Sequence, residues 1–153
     1  MNFCTKVLCT VVLGLAAIPM VKADELVIHT VAAHTGDYDY NNDTFGLGIK
    51  SNGVTVGAYK HSYTKEGDLK GIAAYVSKPI VSKDTSLVDM DLSLAVTYGY
   101  PERLKGNYEG FMVIPTLNTS VKLTDGWSVI VTTVPGKLVG NDNAYMLSFS
   151  RKF

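Results

Sequence analysis

Cysteine is nearly absent from this sequence. The 153 residues contain two, Cys4 and Cys9, and none follows them. A chain that starts after residue 23 therefore has neither a disulfide framework nor a thiolate metal site. Long apolar runs are also missing from that part, so no segment resembles a spanning helix of about 20 residues. Helical periodicity is absent from Glu25 onward. Excess charge is absent too: without Lys6 and Lys22 the 14 basic residues fall to 12 against 14 acidic ones, a balance of −2. That balance gives no reason to expect nucleic acid as a partner.

The opening stretch MNFCTKVLCTVVLGLAAIPMVKA has a different character. Lys6 supplies a basic start, Val7 to Met20 an apolar middle, and Val21-Lys22-Ala23 a small-residue cleavage site. Residues 1–23 read as a secretory signal peptide, too short and wrongly flanked for a stable transmembrane helix. Val7-Leu8 before Cys9, and the long apolar run after it, do not fit a lipoprotein signal. Residues 24–153 are then enough for one domain and not two. An exported chain without a spanning helix enters a membrane only as a closed barrel.

The remaining sequence is dominated by alternation. Strand-like segments cover Leu26–His34, Phe45–Lys50, Val54–His61, Leu69–Ser77, Met90–Tyr100, Phe111–Leu123, Trp127–Val134 and Ala144–Phe153. Asn52-Gly53 is a strong hairpin signal, because both residues tolerate positive φ. Thr124-Asp125-Gly126 marks a second tight turn. Pro115 predicts a local break in its ladder. In Met90–Tyr100 the residues Leu92, Leu94, Val96, Tyr98 and Tyr100 share one face, and Ser93, Ala95, Thr97 and Gly99 share the other.

No Lys, Glu or Asp lies between Leu92 and Tyr100. That favours a narrow barrel, with the bulky face toward lipid and small residues inside, over a soluble β-sandwich. The last strand, AYMLSFSRKF, repeats the pattern with Tyr145, Leu147 and Phe149 against Ser148, Ser150 and Lys152. It ends on Phe153, like the terminal strand of an outer-membrane barrel, with Arg151 departing from the usual apolar residue. Trp127 and the strand-end tyrosines Tyr98, Tyr100 and Tyr145 fit interfacial girdles and fit ordinary strand aromatics equally well.

Connection lengths agree with a barrel. With a periplasmic amino end, the tight turns fall inside and the polar loops at 35–43, 62–68, 101–109 and 135–143 fall outside. Lys78 to Asp89 reads as one long inner connection that breaks the rule. The expected fold is all-β: an eight-stranded antiparallel up-and-down transmembrane β-barrel, monomeric, in a bacterial outer membrane.

The stretch Val113–Phe153, VIPTLNTSVKLTDGWSVIVTTVPGKLVGNDNAYMLSFSRKF, resembles the carboxy-terminal third of the PagP family of lipid A palmitoyltransferases from Gram-negative outer membranes. The likeness rests on the proline-bearing strand start, the glycine turn, Val134-Pro135-Gly136, the Asn-rich loop and the final aromatic. Upstream, Tyr40-Asn41-Asn42 with Phe45-Gly46-Leu47-Gly48, Ala58–Tyr63 and Ile72–Val76 look like that family's corresponding segments. The amphipathic helix that precedes the family's first strand has no counterpart, since Glu25 runs directly into Leu26.

The resemblance implies transfer of an acyl chain from a glycerophospholipid onto lipid A by an outward-facing His, Asp and Ser. The histidine matches His29, the serine matches Ser62, and the aspartate falls on His61. An imidazole at His61 acts as a base or a hydrogen-bond donor but supplies no fixed negative charge. The family's glycine at the floor of its acyl pocket matches Val76, whose branched side chain would shorten or fill that pocket.

His34 competes with His29, being nearer the expected outer mouth. Five residues apart in one strand, the two should face opposite sides, and no nearby carboxylate completes a metal site. Neither metal nor cofactor is expected, and the partners implied are outer-membrane lipids (phospholipid and lipid A). A second reading needs no chemistry. In it the chain is a non-enzymatic small outer-membrane barrel with a surface or adhesion role, its histidines are strand-end polar residues, and Ser62 is a plain loop serine.

Overall fold

The computed structural model describes residues 24–36, 40–63, 71–101, 104, 106–124, 126–139 and 142–153. The leader at residues 1–23, together with Leu69 and Asp125, lies outside the described residues. Eight strands follow one another as β1 (Glu25–His34), β2 (Asp43–Ser51), β3 (Val54–Lys60), β4 (Ile72–Asp84), β5 (Val88–Tyr98), β6 (Phe111–Lys122), β7 (Trp127–Val134) and β8 (Ala144–Lys152). A one-turn helix α1 (Gly136–Val139) lies between β7 and β8.

Each strand pairs antiparallel with the next, and β1 pairs with β8, from Glu25↔Lys152 to His34↔Ala144. The sheet is thus a closed up-and-down barrel with no free edge, which rules out a two-sheet sandwich. Asn52 and Gly53, at φ of 50° and 76°, make the β2–β3 turn that this dipeptide predicts.

The alternation is inverted relative to a water-soluble core. On β5, Leu92, Leu94 and Val96 face outward at 42–49% exposure, while Ser93, Ala95 and Thr97 are buried inside. Phe45, Leu47 and Ile49 of β2, Val113 of β6, Val131 of β7 and Tyr145 of β8 extend the outward apolar face. The buried interior is small and hydroxyl-rich, including Thr44, Thr116, Ser128, Ser148 and Ser150. Larger side chains, among them His29, Tyr75, Met112 and Ile114, share that interior.

Four sequence expectations need correction. The long connection from Lys78 to Asp89 is not a loop. β4 and β5 continue their pairing to Asp84↔Asp89, with a bulge at Ile80 between Pro79↔Ser93 and Val81↔Leu92. The bulge shifts the alternation by one residue and hides the strand from a period-two reading.

The expected break at Pro115 is absent, because Pro115 pairs with Leu94 in an unshifted ladder. The β6–β7 ladder covers only Leu117 to Lys122. Pro115 therefore has a strand neighbour on one side alone, an edge-like position where a missing N–H is tolerated.

Tyr100 does not share the outward face of Leu92. The strand ends at Tyr98, Gly99 takes a φ of 111°, and Tyr100 turns into the barrel, where its hydroxyl meets that of Tyr59 at 2.7 Å.

His29 and His34 do not face opposite sides. β1 carries a bulge between His29↔Ser148 and Val31↔Leu147, so Thr30 is an extra residue. Val31 is exposed while Ala32 and His34 return to the interior. The Thr30 hydroxyl donates to the Leu147 carbonyl at 2.8 Å and pins the bulge.

The strand ends Ser51, Asp84 and Lys122, which the short connections leave, share one end of the barrel with residues 24 and 153. The strand ends His34, Lys60, Tyr98 and Val134, which the longer connections leave, share the other.

Candidate functional site

An interior cavity of about 410 Å³ runs through the barrel, within the usual range of roughly 300–1,000 Å³ for small-molecule sites. Its two sides differ. Ala95, Leu104, Met112 and Ile114 form a buried apolar cluster, packed by Tyr63, Tyr100 and Val134. Toward the short-turn end the lining is polar. Asn118 donates to Asp91 at 2.8 Å and accepts from Thr132 at 2.7 Å, and Lys122 pairs with Asp89 at 2.7 Å. None of these five side chains has a buried polar atom without a hydrogen-bond partner.

His29 occupies the opposite wall. Its Nδ1 lies 2.9 Å from Ser148 Oγ on the neighbouring β8, and its Nε2 lies 2.7 Å from the Tyr75 hydroxyl. Tyr59 packs edge-on against the ring at 5.5 Å. These long contacts depend on glycines. His29 pairs with Gly46, and Gly46 with Tyr59. Val27 pairs with Gly48, Gly48 with Gly57, and Gly57 with Tyr75. A Cβ at Gly48 would stand 2.4 Å from the Tyr75 hydroxyl, and one at Gly57 2.7 Å from the Tyr75 ring. The bare wall of β2 and β3 is the groove in which Tyr75 crosses to His29.

The long-loop end holds the other two histidines. His34 stacks on Tyr40, with ring centres 3.9 Å apart and planes 11° apart, and the Tyr40 hydroxyl donates to Asp142 at 2.5 Å. The Nδ1 of His34 is buried with no hydrogen-bond partner among the described residues. His61 stacks on Tyr100 at 5.0 Å, and Tyr63 packs against both Tyr40 and Tyr100. Burial lowers the His61 pKa from its ordinary value and keeps the ring neutral. Burial, reinforced by the Asp142 carboxylate, raises that of Tyr40. Burial also raises that of Tyr100.

The residues picked out by resemblance fare unevenly. His29, His34 and Ser62 all line the cavity. His61 is 2% exposed and is linked to His29 by ring contacts through Tyr100 and Tyr59. The two polar bonds of His29 go to Ser148 and Tyr75, not to Ser62 or His61. Val76 lies outside the site altogether. It is 47% exposed on the outer face, paired with Val56 and Val96, while its neighbours Tyr75 and Ser77 line the cavity. A side chain there does not set the depth of the interior.

Sequence reasoning passed over Ser148, Tyr75 and Asp142. Asp142 places a carboxylate near His34 and accepts a hydrogen bond from the Tyr40 hydroxyl. Its signal was only a polar residue in an Asn-rich loop. Ser148 showed as one of several inward serines, and nothing local marked it, since His29 stands 119 positions away. Among the described residues no group of three or more His, Cys, Asp or Glu side chains is arranged to hold a metal ion. Compared with family models, curated proteins and solved structures, the chain returns no match.

Proposed function

We propose that this chain is an outer-membrane barrel that transfers an acyl chain from a glycerophospholipid to lipid A, with His29 as its base. The observation that carries the membrane part is the inverted alternation. Leu92, Leu94 and Val96 point outward over a hydroxyl-rich interior, an arrangement favourable in lipid and costly in water, at about 25 cal/mol per Å² of apolar surface. Short connections at one end and long ones at the other support the same reading.

The acyl-transfer part rests on the cavity, where an apolar compartment around Ala95, Met112 and Ile114 faces His29 across the barrel. The PagP resemblance supports it independently. A hydrocarbon chain fits the apolar side, and a neutral imidazole takes a proton from a hydroxyl on the other.

The test has two stages. Membrane fractions of cells expressing the protein should hold it in the outer membrane, with heat-modifiable mobility on a gel. Mass spectrometry of their lipid A should show an added acyl group that His29→Ala removes. Extraction into buffer without detergent would sink the membrane reading.

One observation favours a second reading. His29, His61 and Ser62 do not assemble into one hydrogen-bonded unit, and Val76 faces outward. A non-enzymatic surface barrel needs no such unit. An unchanged lipid A spectrum, with the protein in the outer membrane, would favour it.

A further inference from the structure

Two hydroxyls and an imidazole meet in the barrel wall with the spacing of a nucleophile, a base and an orienting group. Ser148 Oγ lies 2.9 Å from Nδ1 of His29, and the Tyr75 hydroxyl lies 2.7 Å from Nε2. Both distances fall within the roughly 2.6–3.2 Å that proton transfer requires. All three side chains line the cavity, and the bulge at Thr30 lies directly beside the His29–Ser148 pair. Bulges concentrate next to active sites, where they re-aim side chains.

The neighbouring serine supplies an internal contrast. Ser150 lies two residues further along the same inward face, equally buried, and its Oγ has no partner among the described residues. Burial on β8 therefore does not itself demand a histidine.

We infer that Ser148 is the nucleophile of this site, with His29 as its base and Tyr75 as a positioning residue. The inference rests on the acyl-transfer reading and specifies its covalent route. Ser148 Oγ attacks the ester carbonyl of a glycerophospholipid, and its proton passes to Nδ1 of His29. The bond from the acyl carbon to the glycerol oxygen breaks. The lysophospholipid hydroxyl leaves with that proton, and the acyl chain stays as an ester on Ser148. An acceptor hydroxyl then attacks the ester and gives its proton to His29, which returns it to Ser148. Nδ1 accepts only while Nε2 carries the ring proton, and Nε2 keeps it by donating to the Tyr75 oxygen. No oxidant, metal or co-reactant enters.

The test uses the folded full chain in detergent micelles and a long-chain alkyl fluorophosphonate. The probe forms a serine O–P bond as fluoride leaves and the serine proton passes to the base. Intact mass and peptide mapping should find one adduct, on Ser148. Ser148→Ala should abolish it, and His29→Gln should slow it by about 100-fold or more. Ser150→Ala should leave it unchanged. Tyr75→Phe should lower the maximal labelling rate about tenfold, the worth of one hydrogen bond in a polar site, with the half-saturating probe concentration unaltered.

Heat-modifiable mobility checks that each variant is folded. Ser148→Cys provides a second measurement: incubated with phospholipid, it should hold the acyl chain as a thioester released by neutral hydroxylamine. An adduct on Ser62 would overturn the inference. So would an unlabelled protein whose cells still show His29-dependent acylation of lipid A, an outcome that leaves the acyl-transfer reading standing. Loss of labelling together with an unchanged lipid A spectrum would remove both.

Discussion

The Tyr75 hydroxyl reaches His29 across two intervening strands, closing to 2.7 Å from Nε2 over the bare backbone of Gly48 and Gly57. The contact exists because β2 and β3 carry no side chains along that line. A methyl group at Gly48 would meet the Tyr75 oxygen at 2.4 Å but the next ring atom at only 3.4 Å. Gly48→Ala should therefore cost about 1–3 kcal/mol, the usual range for overpacking. Tyr75→Phe removes the clashing atom, so the double variant should lose less than the two single costs added together. Urea unfolding of the four proteins checks this; strict additivity would mean that Tyr75 does not occupy the groove.

The outward apolar belt makes a prediction that depends on the solvent. Val96 pairs with Val76 and Val113 on that face and is 49% exposed. Val96→Arg should destabilise the barrel by about 2–4 kcal/mol when it is folded into lipid vesicles. On a water-soluble protein the same exposed change should stay within about 0.5 kcal/mol. Unfolding titrations in vesicles separate the two cases.

Interior volume and outer surface can be separated by a matched pair of substitutions. On the acyl-transfer reading, Ala95→Leu adds bulk to the apolar compartment and should shorten the longest acyl chain transferred. Val76→Gly, at the position the family resemblance assigns to the pocket floor, should leave chain length unchanged because that side chain points away from the cavity. The acyl masses on lipid A report both. A length change with Val76→Gly alone would reverse the placement of the selectivity determinant.

His61 should make the fold acid-sensitive. Its burial against Tyr100 keeps the folded ring neutral below the ordinary histidine pKa, while the unfolded chain takes up a proton near 6.5. Below that value the unfolded state holds more protons, and stability falls with pH until the folded ring titrates as well. The limiting slope is about 1.4 kcal/mol per pH unit. His61→Phe keeps a flat ring for the stack and removes the proton. From about pH 7 to about pH 5, the wild-type urea midpoint should drop further than the variant's. Equal drops would assign the acid sensitivity to other groups.

Most of the barrel was legible in the sequence because its two faces differ so sharply. Leu92, Leu94 and Val96 against Ser93, Ala95 and Thr97 need only the period of two to be read. The failures occur where one extra residue breaks that period. The bulge at Ile80 disguised a strand as a loop, and the bulge at Thr30 sent His34 to the wrong face. Gly99 did the same for Tyr100 by changing the chain direction at the strand end. A bulge has no compositional mark at Thr30, so parity counted across it is wrong by one.

The site was less legible. Its histidine was visible, but the partners that bond it come from β4 and β8, and only the curvature of the closed sheet brings them together. The alternate glycines Gly46 and Gly48 were visible in the sequence. What lies against them could not be read from β2 itself.

The β1–β8 seam brings one further consequence. His29 lies on the first strand and Ser148 on the last, and they meet only across the ladder that completes the cylinder. Until that final pairing forms, the base and the hydroxyl belong to opposite ends of an open chain. On the acyl-transfer reading, a chain whose barrel is still open therefore lacks its reactive pair, which forms in the same event that completes the wall around it.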